Sequence, residues 1–270
     1  MRPKVKKILK KILINLLEKK GIELQRVTNK VKVTKLIESL FPYIIQKDLI
    51  RLGSNGDGGY LVPDDLEGIE SCFSPGVDNI SEFENDCLKY GMKIYMADKS
   101  VDKPNLDIPE EKYDFIKKFV GCTNNDNYIS MDNWVNLNSK SSTSDLLLQM
   151  DIEGDEYFSL INMSNTLIKR FRIMVIEFHF LNDFWNPHFF DLAETVFGKI
   201  LETHICVHIH PNNCCGIDSR FGFDIPRVAE FTFIRKDRVK IKKYASNFPH
   251  ELDYDNTEKE SILLPKIWYK

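Results

Sequence analysis

Apolar positions along the chain fall into two rhythms. Short runs rich in β-branched and aromatic residues occur at 69–73, 93–97, 117–121, 145–151, 172–179, 204–210 and 229–234. Between several of these runs apolar residues recur every three to four positions, at 80–91, 156–169 and 187–202. Strands that alternate with helical stretches predict βαβ units and a mostly parallel sheet, an α/β fold. The run 172–179 is apolar until Glu177, the pattern of a strand covered on both faces. Residues 30–48 read as a further helix, with Val33, Leu36, Ile37 and Leu40 on one side, followed by the glycine-rich turn RLGSNGDGGYLVP at 51–63. A long loop, 211–228, carries NNCCG and a proline. No internal repeat is present, and the spacing of the strands leaves no room for a second full domain. The expected division is therefore 1–47, two N-terminal helices, and 48–270, the α/β domain.

The first 24 residues change the picture at one end. Val5, Ile8, Leu9, Ile12, Leu13, Leu16 and Leu17 recur at helical spacing, and eight basic side chains stand against only Glu18 and Glu23. This predicts a basic amphipathic helix ending near Gly21. Lys10 and Lys11 interrupt the apolar stretch and no small-residue cleavage site follows, which argues against a signal peptide. Three placements fit: packing on its own chain or on a second copy through residues 1–20, resting on an anionic membrane surface, or a loosely ordered leader.

Composition narrows the class. The 270 residues are 43% apolar and 29% charged, with a net charge of −3, which is globular and disfavours a dedicated nucleic-acid binder. No run approaches the roughly 18 apolar residues of a membrane span. The six cysteines, at 72, 87, 122, 206, 214 and 215, form no CxxC pair. A reduced, cytoplasmic compartment is expected, with the inner face of the membrane as a further possibility.

Ligands of open parallel sheets bind outside the carboxyl ends of the strands. The first strand ends in Ser74, Pro75, Gly76, Val77 and Asp78, and the second in Asp98, 22 residues after Gly76. An acidic residue at that offset can accept hydrogen bonds from ribose hydroxyls, which suggests a nucleoside-containing cofactor. Neither GxGxxG, Walker A nor GxSxG is present. The fourth strand runs into Asp151, Ile152, Glu153, Gly154, Asp155 and Glu156. Period-two alternation puts Asp151 and Glu153 on one face, while Asp155 and Glu156 suit the first turn of the next helix. The fifth strand ends in Glu177 and His179 and the sixth in His208 and His210. Adjacent strands lie about 4.8 Å apart, so the carboxylates and imidazoles at these neighbouring carboxyl ends are expected to converge. Such a set suits a divalent metal, a metal-free general base, or hydrogen-bonded core histidines. Phe180, Phe184, Trp185, Phe189 and Phe190 read first as core and second as a wall for a sugar or nucleotide ring.

The ordered segments RLGSNGDGGYLVP, FSPGVDNISEFE, IYMADKS, LLLQMDIEGDEYFSLINM and IEFHF resemble FkbM-type S-adenosylmethionine-dependent methyltransferases, in the branch with a GDGGY segment ahead of the first strand. The resemblance covers roughly 48–182. It implies a class I methyltransferase (Rossmann-like) fold, with a seven-stranded sheet and helices on both faces. It implies that Gly76 belongs to the cofactor loop, that Asp98 holds the ribose, and that MDIEG lies near the methyl-transfer centre. Many members carry DxGxxxG in the first loop, whereas here Ser74 stands in place of the acid. Arg51, Asp57, Gly58, Gly59 and Tyr60 are then candidates to hold the methionine part, with Ser74, Val77 and Asp78. Similar proteins mostly O-methylate hydroxyls of sugars or natural products.

The expectation is an S-adenosylmethionine-dependent O-methyltransferase acting on a sugar hydroxyl, of a nucleotide sugar or a surface-polysaccharide precursor. A hydroxyl needs a base or a metal to become nucleophilic near neutral pH. Asp151, His179 and His210 are expected to hold a divalent ion (Mn, Mg or Fe) or to act as acid/base groups. Glu153, Glu177 and His208 are expected beside them. Two rivals stand: a natural-product or lipid-linked acceptor, suggested by the basic helix, and a methyltransferase-like interaction protein, suggested by the altered first loop.

Overall fold

The computed structural model describes residues 11–12, 14–21, 26–77, 81–106 and 109–270. Most of the expected basic helix, and Asp78, lie outside the described residues. Residues 14–18 are helical, with Ile12 and Leu16 about half exposed. Among the described residues no helix is long and apolar enough to cross a membrane.

A seven-stranded sheet organises the chain. Its strands are β4 (Ser71–Pro75), β5 (Lys93–Ala97), β6 (Tyr113–Ile116), β9 (Leu146–Met150), β10 (Phe171–Phe178), β11 (His204–Pro211) and β14 (Ala229–Arg235), the last two joined through the separate hairpin β12 (Ile217–Arg220) and β13 (Phe223–Pro226). Their spatial order is β11-β14-β10-β9-β4-β5-β6. Every pairing from β10 to β6 is parallel, and β14 runs antiparallel between β10 and β11. This is the Rossmann-like methyltransferase architecture that the sequence predicts. Six of the seven expected strands fall within about two residues of their place. The run expected at 117–121 instead contributes β7 (Phe119–Gly121), which pairs with β8 (Tyr128–Ser130) outside the main sheet. The sheet's own edge strand, β6, lies just before it.

Period-two alternation sends Leu146, Leu148 and Met150 of β9 to one face, and Leu147 to the other. The first face is covered by α1 (Lys30–Ser39), α3 (Met131–Asn138), α4 (Glu156–Asn162), α5 (Asn165–Ile168) and α6 (Pro187–Thr203). The helix expected over 30–48 stops at Ser39, because Pro42 cannot continue it, and Tyr43–Ile45 becomes β1, paired with β15 (Lys242–Tyr244). The stretch 156–169 is two helices, since Ser164 caps a new one by accepting from the Leu167 amide. Helix α6 starts where Asn186 caps the amides of His188 and Phe189 and Pro187 fills the first turn. It buries Phe190, Ala193, Val196, Phe197 and Ile200, worth roughly 1.5–3 kcal/mol for each large side chain. The opposite face is covered by the hairpin β2 (Leu49–Leu52) and β3 (Tyr60–Pro63) and by α2 (Glu82–Leu88).

That second face turns polar at its carboxyl end. Strand by strand, Cys72 gives way to Ser74, Leu147 to Gln149, Val175 to Glu177, and, in the reversed strand, Ile234 and Thr232 to Glu230. The row of polar side chains lies beneath the GDGG turn that joins β2 to β3.

Candidate active site

Two clefts open at the carboxyl ends and meet at Gly76 and Asp151. The larger, about 370 Å³, runs over Asp98, Ser100 and Phe119 towards Glu153 and Asp155. The smaller, about 50 Å³, is enclosed by Asp57, Gly58 and Tyr60 from the hairpin, with Val77, Glu84 and Gln149 below. Gly76 has φ +81°, and a Cβ there would lie 1.5 Å from the Asp151 carbonyl oxygen. A side chain at this position is excluded by backbone, not merely disfavoured. The Gly76 amide donates to Ala97 O at 3.0 Å and the Asp151 amide to Pro75 O at 3.2 Å, which knits the three strand ends together.

Asp98 is buried at the wall of the larger cleft. Its Oδ2 accepts from the Val77 amide at 3.1 Å, and its Oδ1 accepts from the amide and the hydroxyl of Ser100, both at 2.7 Å. The carboxylate is thus fixed where the first loop passes the second strand. Phe119, 40% exposed, supplies an apolar wall opposite.

The altered first loop is answered from elsewhere. Ser74 lines neither cleft: its hydroxyl is buried and shared between Glu84 Oε1 and Gln149 Oε1, the latter at 2.6 Å. Gln149 Nε2 in turn donates to the Tyr60 hydroxyl at 3.2 Å. Glu84 was not foreseen, although it sits one turn into the helix after the loop. Burial pushes its carboxyl up to about 7, against the bond from Ser74. Among the described residues no basic side chain pairs with it. Arg51 and Gly59 also lie outside both clefts. The Arg51 guanidinium holds the GDGG turn by donating to Ser54 O (2.6 Å) and Gly56 O (2.8 Å), and reaches Leu252 O at 3.2 Å. Gly59 is buried behind it.

Glu177 and His179 line neither cleft but converge on Asp151, which lines both, one donor atom from each of the three lying within 4.8 Å of the others. His179 Nε2 is 3.7 Å from Glu177 Oε1 and 3.5 Å from Glu153 Oε2. Asp151 Oδ1 and Glu177 Oε2 are buried without a hydrogen-bond partner. Glu153 does not reach the site by strand alternation, because β9 ends at Met150. It stands in a left-handed turn at φ +58°, with its side chain 87% exposed at the rim.

His210, expected as the third ligand, is elsewhere. The fifth and sixth strands are not neighbours, since β14 lies between them and places Glu230 opposite both Glu177 and His210. His210 Nδ1 instead approaches Asp253 Oδ1 (3.7 Å), to which His208 Nε2 bonds at 2.8 Å. Burial alone would raise the Asp253 carboxyl, but the two imidazoles hold it well below the usual range.

Glu156, expected in the first turn of the next helix, proves central. It is fully buried at the start of α4, and its Oε1 accepts from the amides of Ile152 (3.1 Å) and Gly154 (3.0 Å) and contacts His179 Nδ1 at 3.1 Å. With Nδ1 held by Glu156, Nε2 is the nitrogen left to face Glu177 and Glu153. Burial by itself lowers the His179 imidazole, but Glu156 and the neighbouring Asp151 and Glu153 outweigh it and raise it above its ordinary value. Burial, opposed by His179 and aided by Glu153, Glu156 and Asp57, pushes Asp151 up to about 7. Glu177 is raised well above the carboxylate range, by burial and then by Asp151 and Glu230, although Asn212 Nδ2 donates to it at 3.1 Å. Of the aromatic cluster, Phe184, Trp185 and Phe190 are core, while Phe180 is half exposed beside His179, with ring centroids 6.2 Å apart.

The arrangement places a cleft of about 370 Å³ beside a cluster of titratable groups around Asp151. No curated protein matches the chain. Residues 125–203, which include the MDIEG turn, Glu156, Glu177 and His179, match the family model described as the methyltransferase FkbM domain, and with the observed sheet order this supports an S-adenosylmethionine-dependent methyltransferase.

Proposed function

We propose that the protein is an O-methyltransferase that transfers the methyl group of S-adenosylmethionine to a sugar hydroxyl, of a nucleotide sugar or a surface-polysaccharide precursor. The observation that carries this reading is the junction of the two clefts at Gly76 and Asp151, with Glu177 and His179 close to the Asp151 carboxylate. The nucleoside part fits the larger cleft, with Asp98 at the ribose and Phe119 against the base. Glu84, a buried acid with no basic partner among the described residues, and Asp57 suit the ammonium of the methionine part, the role that the first loop leaves vacant.

The cofactor supplies an electrophilic methyl group, and the chain's residues do the rest. Holding acceptor oxygen and methyl in line contributes much of the rate. The acceptor proton passes to the Asp151–His179 pair: burial raises the Asp151 carboxyl to about 7, and the carboxylates around His179 raise its imidazole above the ordinary value. The orphaned oxygens of Asp151 and Glu177, with His179 Nε2, also suit a divalent ion such as Mg, Mn or Fe, which would make the hydroxyl more acidic. Phe180 offers an apolar face to a sugar ring at the mouth.

Calorimetric titration of S-adenosylmethionine and S-adenosylhomocysteine into EDTA-treated protein, then with Mn²⁺ or Mg²⁺, tests the cofactor and the ion separately. Acceptor screening follows in both states. Absence of binding in either state, in a folded sample, would favour the interaction-protein reading. A lipid-linked acceptor is the alternative that the basic N-terminus suggests. Anionic liposomes that sediment the full chain but not residues 25–270 would support it, and equal partitioning would remove it.

A further inference from the structure

The loop after β11 carries a feature that the methyltransferase reading does not use. Cys214 and Cys215 are neighbours in sequence, and their sulfurs stand 2.8 Å apart. Cys215 is exposed and Cys214 half buried. Adjacent side chains commonly diverge, but this turn folds them together. The Cys214 amide donates to Asn212 Oδ1 at 2.8 Å, and Lys259 Nζ donates to the Cys214 carbonyl at 2.6 Å. The backbone on both sides of Cys214 is thereby fixed. The remaining cysteines form no comparable accessible pair, since Cys72, Cys87 and Cys206 are buried and Cys122 is exposed elsewhere.

We propose that Cys214 and Cys215 form a redox-active vicinal dithiol, a modification site that low-molecular-weight disulfides close reversibly. The Cys215 thiolate attacks one sulfur of the small disulfide and expels one equivalent of small thiol. Cys214 then attacks the Cys215 sulfur and expels the second. The two protein thiols lose two electrons and two protons, and the small disulfide takes them up as two thiols. The order follows from exposure: burial, and then the adjacent Cys215, push the Cys214 thiol up to about 12. The sulfurs need move less than about 1 Å to reach covalent distance. Reopening is also built in. Consecutive Cα atoms are about 3.8 Å apart across a trans peptide, below the roughly 4.4 Å that unstrained disulfides require. Strained, exposed disulfides are the readily reduced ones. The pair also has a route to the site, because Asn212, which accepts from the Cys214 amide, donates to Glu177.

The test uses full-length protein with Cys122→Ser, which removes the other exposed thiol, and does not depend on methyl transfer. After exposure to glutathione disulfide, the intact mass should fall by two hydrogen atoms. The peptide containing residues 214 and 215 should carry the bond, and dithiothreitol should reverse it. Adding Cys214→Ser should leave one stable glutathione adduct at Cys215, and Cys215→Ser should suppress bond formation if the first variant is poorly folded. Phenylarsine oxide, which bridges paired thiols, should protect both sulfurs from alkylation at one equivalent. Two stable glutathione adducts, unmodified thiols, or alkylation unaffected by the arsenical in folded protein would each overturn the proposal.

Discussion

Replacing Gly76 with alanine should separate the junction of the clefts, and the structure gives both size and control. The backbone at φ +81° disfavours any L-side chain by roughly 1–2 kcal/mol. The added Cβ also meets the Asp151 carbonyl at 1.5 Å, so strand ends must part by well over an ångström. That movement breaks the Gly76–Ala97 and Asp151–Pro75 hydrogen bonds, each worth about 0.5–1.5 kcal/mol net. The expected loss is about 2–5 kcal/mol, a melting-point drop on the order of 4–9 °C for a chain of this size. Gly91→Ala is the matched control. Its φ is +78°, but a Cβ there meets nothing within 4 Å, so only the conformational cost applies. Denaturant unfolding of both variants isolates the overlap. Calorimetry with S-adenosylhomocysteine should find its affinity lost in Gly76→Ala and retained in Gly91→Ala. Equal stabilities and equal affinities in the two variants would refute the close approach of the first loop to Asp151.

Three further outcomes are expected. Asp151→Asn and His179→Ala should each lower turnover by about 10²–10⁴-fold, with S-adenosylhomocysteine affinity intact; full turnover in either would remove that residue from the chemistry. Glu156→Gln should act through His179: losing a charged hydrogen bond worth roughly 1.5–3 kcal/mol should lower kcat about 10–150-fold and leave KM for the cofactor unchanged. His204, distant from this chemistry, is buried and neutral, with Nε2 against Phe171 O at 2.7 Å and its imidazole pushed down to about 4, chiefly by burial. Because the unfolded chain binds this proton near pH 6.5, the contribution is complete above that pH and falls away towards pH 4. Between pH 7 and 5 the native chain should lose about 2 kcal/mol more than His204→Gln, read by chemical denaturation.

The sheet was legible because its central strands are covered on both sides, so Leu146–Met150 and Phe171–Phe178 are uninterrupted apolar runs. The edge was not. Tyr113–Ile116 packs against one neighbour only and is half exposed, so its pattern is weaker than that of the following KKFVG. The site was legible as a set of residue types at strand ends, and obscure wherever strand order mattered. Asp151 follows β9 directly, and Glu177 and His179 lie at the end of the adjoining β10, so the three converge. His210 was misplaced because nothing in the residues themselves signals that the last strand inserts before the sixth. Glu156 and Glu84 were missed for a shared reason: an acid in a helix's first turn usually faces solvent. Here Ile152, Gly154 and Ser74 supply donors that draw the two carboxylates inward, and sequence spacing does not record such donors.

The polar row on the second sheet face sets a limit on how well this chain can fold. Gln149, Glu177, Thr232 and Glu230 occupy positions that the alternation of their strands would assign to leucine or valine. In folding terms they are points of local frustration, retained against the gradient that shaped the rest of the sheet. Selection for thermal tolerance alone should therefore drift towards apolar residues at these few sites first, trading turnover for robustness. A deep mutational scan scored only on abundance would then outline the active site in negative, as the buried positions where the native residue is not the most stable one.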